Sequence, residues 1–316
     1  MTPGKAFLST EEIRPLAERS DFMGFFLVAH CWAVIAAAVA LFGVWPNPLT
    51  FVLAVMIIGS RQLGLAILMH EAAHNALFKS RKWNDFTGEW LCGRPILAEL
   101  AAYRHYHLTH HRFTQTEKDP DLVLSSKFPT TRASLKRKFI RDLTGQTGIK
   151  QLAAQIMMTV RLAGDNAAVE AAASDFAQAF KARDLLKSLP VFLGIAVLMS
   201  LVGDWWWGLA FWLLPYLTWF QLVLRVRNIA EHGATEVSEN PLQNTRTTLA
   251  GPIARLLVAP YWVNYHLEHH LVMHVPCWRL KKMHALLAEK GVTGQMRVAR
   301  SYWQALEDAG SKPAQS

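Results

Sequence analysis

At 316 residues the chain has room for one large domain or two small ones, and 52% of it is hydrophobic, with 12 tryptophans and 16 phenylalanines. That composition argues against an ordinary soluble enzyme and for a membrane protein with sizeable polar parts. The formal charge of +9 would suit nucleic acid in a soluble protein; beside long apolar runs it reads instead as cytosolic loops against anionic lipid, with no nucleic-acid partner. Three scattered cysteines, Cys31, Cys92 and Cys277, fit neither a disulfide framework nor an iron–sulfur or zinc-ribbon spacing, so a metal held here would be held by nitrogen.

Residues 1–21 are polar, with Glu11, Glu12, Arg14, Glu18, Arg19 and Asp21, and predict a short surface helix capped by Ser9 or Thr10. They carry both signs of charge and lack a small-residue cleavage site, so the next apolar run reads as a membrane helix rather than a signal peptide. That run covers residues 25–45, about one bilayer crossing. Its lone His30 is expected to pack or to face the lipid edge. Pro46-Asn47-Pro48 makes a tight turn. A second run, residues 50–69, contains Arg61 and Gln62, which are expected to face protein or a water-filled pocket.

The second run leads straight into His70-Glu71-Ala72-Ala73-His74, placing a histidine pair where the helix leaves the membrane. Lys79, Arg81, Lys82, Arg132, Lys136, Arg137, Lys138 and Arg141 follow, and the positive-inside rule assigns this segment to the cytosol. Residues 83–100 predict an interfacial helix with Trp90 and Leu91 toward lipid. Residues 114–121 are a polar tract. Residues 151–189 read as one or two amphipathic helices, with Gly164-Asp165-Asn166 as a break. A second apolar hairpin follows at residues 188–202 and 205–224, turning at Gly203-Asp204, with Trp205, Trp206 and Trp207 as an interfacial belt and Arg225 and Arg227 on the inner side. The expected fold is therefore all-α integral membrane, a single domain over residues 1–316. Four transmembrane helices in two hairpins carry a cytosolic helical cap at residues 70–187 and 225–316. Four crossings leave both termini and every histidine set on one side.

The cap holds the chemistry. His107, His110 and His111 form H-x-x-H-H, and the pattern returns at His266, His269 and His270. Positions i, i+3 and i+4 of a helix share a face, so each set points its imidazoles one way. Neutral imidazole suits iron, zinc, copper or nickel. With His70 and His74 these are eight histidines, too many for one ion and about right for two. His232, just after the fourth run, emerges at the same depth and makes a ninth.

With its three boxes ordered around two hairpins, nearly the whole chain resembles the membrane fatty acid desaturase and hydroxylase superfamily, the histidine-box di-iron oxygenases. His70-x-x-x-His74, His107-x-x-His110-His111 and His266-x-x-His269-His270 look like its three boxes. Asn228 and His232 match a pattern of its acyl-CoA desaturases, in which an asparagine precedes a further histidine by four positions. The resemblance implies that nine histidines bind two ferrous ions, with Asn228 holding one through water, and that no catalytic residue is needed beyond the metal centre. It implies dioxygen as co-substrate and oxidation of an unactivated C–H bond, giving an alkene or an alcohol. Glu71, Glu231 and Glu268 are then expected to accept the outer ring N–H of ligands, with Asp119 and Asp121 doing the same for the second box or capping a turn. His105 lies outside the spacing and is expected to orient a ligand or to pack, as are His274 and His284. Trp262, Tyr265 and Trp278 line a substrate slot or pack at the interface.

The first box, His-Glu-Ala-Ala-His-Asn, looks like that of sphingolipid desaturases and departs from the His-Asp start of many phospholipid desaturases and carotenoid ketolases. The third begins with His rather than the Gln of front-end desaturases. The favoured expectation is desaturation of a lipid acyl chain. The alternatives are a lipid, alkane or carotenoid hydroxylase or ketolase of the same superfamily and, more remotely, a membrane metal transporter or sensor. No ferredoxin cysteine set and no His-Pro-Gly-Gly of cytochrome b5 type occurs. A separate ferredoxin, rubredoxin or cytochrome b5 with its reductase is implied as electron donor. The expected location is a multi-pass membrane protein with its active site on the cytosolic side, in the inner membrane of a bacterium.

Overall fold

The computed structural model describes residues 3–162 and 182–313, and among them the chain is mostly helical. The N-terminal helix α1 (Thr10–Leu16) is capped as the sequence predicts: Ser9 Oγ accepts the Glu12 N–H, and the Glu12 carboxylate accepts the Ser9 N–H. Helix α2 (Asp21–Val44) starts at the Ser20 cap and is apolar around its circumference. Its Phe22, Phe25 and Phe26 stay exposed, as a lipid-facing helix requires. Trp45 and Pro46 end it. Asn47 then caps α3 (Pro48–Ala73), its Oδ1 accepting the N–H groups of Leu49 and Thr50 while Pro48 supplies the first helical φ.

Helix α3 is the central mast, about 39 Å long at ~1.5 Å per residue. From Ile58 to His74 every residue but Ala66 is buried. Arg61 and Gln62 face protein, as expected. Arg61 Nη2 donates to Leu256 O at 2.6 Å and Ser60 Oγ to Leu257 O at 2.5 Å, so both satisfy the carbonyl end of the later helix α12 (Pro252–Leu257). Gln62 Nε2 donates to Trp212 O.

The predicted interfacial helix at residues 83–100 is broken. It comprises α4 (Arg81–Thr87), a π-turn (Gly88–Gly93) and a 3-10 turn (Arg94–Ile96) that ends in Leu97 at φ 61°. Pro95 and the left-handed Leu97 stop the helical ladder. Trp83, Phe86, Trp90 and Leu91 nonetheless form an exposed apolar band. Helix α5 (Leu100–Phe113), capped by Glu99, carries the second box against α3. Arg104 ties them together, donating to the Ala72 and Ala73 carbonyls that end α3. A short turn, α6 (Leu122–Ser125), leads to α7 (Arg132–Leu143) and α8 (Gln146–Leu162). The expected break at Gly164-Asp165-Asn166 lies outside the described residues.

The second hairpin differs from expectation. Helix α9 (Ala182–Val202) has only a shorter apolar stretch, Leu186–Val202. Its partner runs on to residue 232 rather than stopping near 224. It opens as a π-helix (Leu209–Leu213), passes through α10 (Leu214–Leu217), bends at Thr218, and continues as α11 (Trp219–His232). Among the described residues three helices are long and apolar enough to cross a membrane: Asp21–Val44, Pro48–Ala73 and Leu209–His232. Of the expected belt, Trp205 is well exposed, whereas Trp206 and Trp207 pack edge-on against Phe42.

After α12 the backbone takes left-handed values at Tyr261 and Trp262, φ 53° and 56°. The Tyr261 ring sits against Gly64, where a Cβ would come within 2.9 Å of it. The short helix α13 (His266–Leu271) carries the third box, followed by α14 (Cys277–Glu289) and α15 (Tyr302–Ala309). A parallel pair, Thr247–Thr248 with Val298–Ala299, fastens the last segment beside α11.

Candidate metal centre

The inner end of α3, one face of α5, the end of α11 and all of α13 meet in one buried place. Nine imidazoles converge there in two groups. His70, His74, His107, His111 and His269 form one, and His110, His232, His266 and His270 the other; within each, one ring nitrogen per residue lies within 4.8 Å of all the others. Each H-x-x-H-H set straddles both groups. The i, i+4 pair His107 and His111 enters the first while His110 enters the second; the pair His266 and His270 enters the second while His269 crosses to the first. Helix α3 completes the first group with two histidines, and α11 the second with one.

The nitrogen geometry suits cations. His111 Nε2 lies 2.9 Å from His107 Nε2 and 3.0 Å from His269 Nε2, and His266 Nε2 lies 2.8 Å from His232 Nε2 and 3.0 Å from His270 Nε2. One nitrogen approached by two others at such distances cannot satisfy both by sharing a single proton. Among the described residues His70 Nε2 and both nitrogens of His74 are buried without a hydrogen-bond partner. Such orphaned atoms are costly unless something else occupies their lone pairs. Burial and then the neighbouring histidines push the pKa of His74 down to about 3. Burial likewise drives down His107, His111, His266, His269 and His270. Neutral imidazole is the ligating form, so this all-nitrogen donor set fits two first-row transition-metal ions.

Around the histidines stands a ring of carboxylates. Glu71 lies 3.2 Å from His70 Nδ1 and accepts the Cys277 N–H at the start of α14 at 2.8 Å. Glu231 approaches His266 Nδ1 at 3.5 Å and is held by Arg227 at 2.7 Å. Asp119 accepts from His110 Nδ1 at 2.8 Å and from the Gln115 N–H, and Asp121 stands 3.6 Å from the same imidazole. Burial opposes a charge on His110, but the Asp119 and Asp121 carboxylates outweigh it and raise its pKa. Glu268 departs from expectation. It turns away from the clusters, accepting from Thr247 Oγ1 at 2.5 Å and His284 Nδ1 at 2.5 Å. The reason is helical: on α13 the position between His266 and His269 faces the opposite side.

Asn228 lies one turn before His232, on the same face of α11 and half-buried. His105 is exposed and belongs to neither group. Trp262, Tyr265 and Trp278 pack against the core. Other contacts lie outside the sequence reading. The Tyr103 ring stacks on His107 at 5.2 Å and 9°, and Thr114 Oγ1 lies 3.3 Å from His270 Nδ1. Helical spacing marks Tyr103, four before His107, and Arg227, four before Glu231; nothing in the sequence marks Cys277.

A helical membrane protein with two facing histidine cages defines a class, the histidine-box oxidoreductases. The chain belongs to the fatty acid desaturase family, whose pattern matches residues 43–301, and it is an oxidoreductase. It is similar to the dihydrorhizobitoxine desaturase of Bradyrhizobium elkanii, 28% identical over 92% of this chain and 81% of that one. It is also similar to a beta-carotene ketolase of Paracoccus sp. strain PC1, 26% identical over 80% of this chain and 87% of the relative. A third relative is an sn-1 oleoyl-lipid 12-desaturase of Synechocystis, 24% identical over 79% of this chain and 71% of that one.

Proposed function

We propose that the protein is a di-iron, dioxygen-dependent desaturase of a lipid acyl chain. His70, His74, His107, His111 and His269 hold one ferrous ion. His110, His232, His266 and His270 hold the other, with Asn228 completing it through a water. The observation that carries this reading is the five-plus-four division of nine inward-facing imidazoles. Bound iron would supply the activation of dioxygen that side chains alone cannot. The chain's own part is to keep the imidazoles neutral, to fix their rings through Glu71, Glu231 and Asp119, and to bury the centre away from bulk water.

The topology we favour has four crossings, with α9 as the shortest. Its 17-residue apolar stretch would span about 26 Å, close to the hydrocarbon thickness of ~30 Å, and it pairs with the Leu209–His232 helix. Lys79, Arg81 and Lys82 after α3, and Arg225 and Arg227 near the end of α11, favour a cytosolic cage. A bacterial inner membrane is the setting this implies, with electrons arriving from a separate ferredoxin, rubredoxin or cytochrome b5.

Lipid mass spectrometry after co-expression with a redox partner tests the reaction. A product lighter by two hydrogens supports desaturation. One heavier by an oxygen replaces it with the hydroxylase reading, and one that gains an oxygen and loses two hydrogens with the ketolase reading that the Paracoccus relative favours. No oxygen-dependent product, with zinc in place of iron, contradicts both.

A further inference from the structure

The proposed reaction leaves an electron deficit. Removing two hydrogens from the substrate yields two electrons and two protons, whereas reducing dioxygen to two waters consumes four of each. Two electrons and two protons must therefore enter per turnover, and a one-electron carrier must dock twice. Hydroxylation has the same deficit, because one oxygen atom goes to the product and the other to water.

One surface groove is built for such a visitor. The start of α7 and the end of α15 are joined where the Thr130 N–H donates to Ala309 O and the Lys312 N–H to Thr130 O. Between them lies a groove of about 330 Å³ floored by Leu135, Phe139 and Leu306, with Arg132 and Lys136 on its rim. Trp303 lies across one edge, 71% exposed, with its indole N–H donated to Glu307 at 2.8 Å. A large exposed aromatic ring beside basic side chains is free to pack against a partner's surface.

The α7 wall of the groove is basic: residues 122–141 contain Lys127, Arg132, Lys136, Arg137, Lys138 and Arg141 and no acid, and Arg132 and Lys136 line the groove itself. The α15 wall adds one acid to the lining, Glu307, whose carboxylate accepts the Trp303 indole N–H. The next carboxylate along α7, Asp142, is buried and paired with Arg225. Burial and the like charges of Arg225, Arg141 and Lys127 push the Lys138 pKa down.

The groove also lies close to the cage. Its floor residue Leu135 packs with Ile229 and Ala309, and Ile229 is one turn of α11, about 5 Å, before His232. This packing gives a short route from the groove to the four-histidine group.

We infer that the groove between α7 and α15 is the docking site of a small acidic electron-carrier protein, which delivers electrons first to the ion held by His110, His232, His266 and His270. This rests on the oxygenase reading above. Acidic side chains of the carrier meet Arg132 and Lys136, and its apolar rim covers Trp303.

The test uses the full-length, iron-loaded protein in zwitterionic phosphatidylcholine nanodiscs, with an acidic [2Fe–2S] ferredoxin as probe. Binding should be measurable at low salt and fall steadily as salt is added. R132E/K136E should weaken it about tenfold and W303A by a smaller factor. K281E/K282E, the same charge change on exposed lysines of α14, should leave it within about twofold. Absence of salt-dependent binding, or equal losses in groove and α14 variants, overturns the assignment. So does an R132E/K136E variant that binds ferredoxin normally but loses only its preference for anionic phosphatidylserine discs, because the groove is then a lipid contact. Groove-dependent binding supports docking even where reduced ferredoxin yields no product; that result defeats the oxygenase reading alone.

Discussion

The five-histidine and four-histidine groups are made from the same two boxes, yet they sit in different surroundings. The first is finished by the long buried α3. Among the described residues its one carboxylate contact is Glu71, and His74 has no hydrogen-bond partner at either nitrogen. The second is finished by α11 and faces Asp119, Asp121 and Glu231, with Arg227 beside them. Identical motifs therefore yield one cage held mainly by packing and one held by charged hydrogen bonds. The outer partners of a metal site tune ligand basicity as much as the ligands themselves do, so the two ions should differ in affinity and in response to acid.

Removing a ligand should have the largest effect. His107→Ala and His110→Ala should each abolish product, but with different metal losses: the first should strip the five-histidine group and the second the four-histidine group, each visible as a drop of about one iron per chain. Loss of both ions in either variant would mean that the two groups behave as one site. Next comes Asp119→Asn, expected to lower metal affinity at the second group on the order of 10–100-fold. Glu268→Gln should leave metal affinity near wild type, because its partners are Thr247 and His284. A large effect of Glu268→Gln on iron binding would undo the distinction drawn between these carboxylates.

Acid should also separate the groups. A histidine whose folded pKa is depressed binds its proton only in the unfolded state between its two pKa values. For His74, with a folded value of about 3 against 6.5, stability of the metal-free protein is complete above the upper value and falls as pH drops through that window. His107, His111, His266, His269 and His270 add to this trend. His110 opposes it, since its raised pKa contributes stability below its unfolded value that fades as pH rises through the folded one. Urea melts of metal-free protein between pH 7 and 5 should show stability falling with acid, and Asp119→Asn should steepen the fall. A flat profile would refute the neutral, buried state of these rings. The smallest effects are expected for Asn228→Ala, with a modest loss of activity at retained iron, and for the exposed His105→Ala, with none.

Much of this was legible in the sequence because helical spacing is local. Eight histidines of the two groups follow from i, i+3 and i+4 positions, His232 from its place at the end of the fourth apolar run, and the Ser9 cap and the first hairpin from capping and hydropathy. What escaped depends on three-dimensional placement. Spacing says that His107 and His110 share a face but not that they serve different groups; that is decided by where α13 sets His269 against His111 and His270 beside His110. Composition marked Glu268 as a neighbour of ligands, yet its place on α13 turns it outward. The helix break at residues 88–97 rests on a π-turn, Pro95 and a left-handed Leu97; Pro95 is a readable breaker, whereas the π-turn and the leucine carry no local signal. The long second arm extends past residue 224 because Arg225 and Arg227 find buried partners in Asp142 and Glu231, which hydropathy alone counts as an end.

The central claim is two irons in two separate histidine cages. The most direct measurement is elemental analysis of the purified protein, wild type beside His74→Ala and His232→Ala. The account predicts about two irons per wild-type chain, little zinc, and about one iron in each variant. A single iron in the wild type, or zinc bound in variable amount, would contradict it.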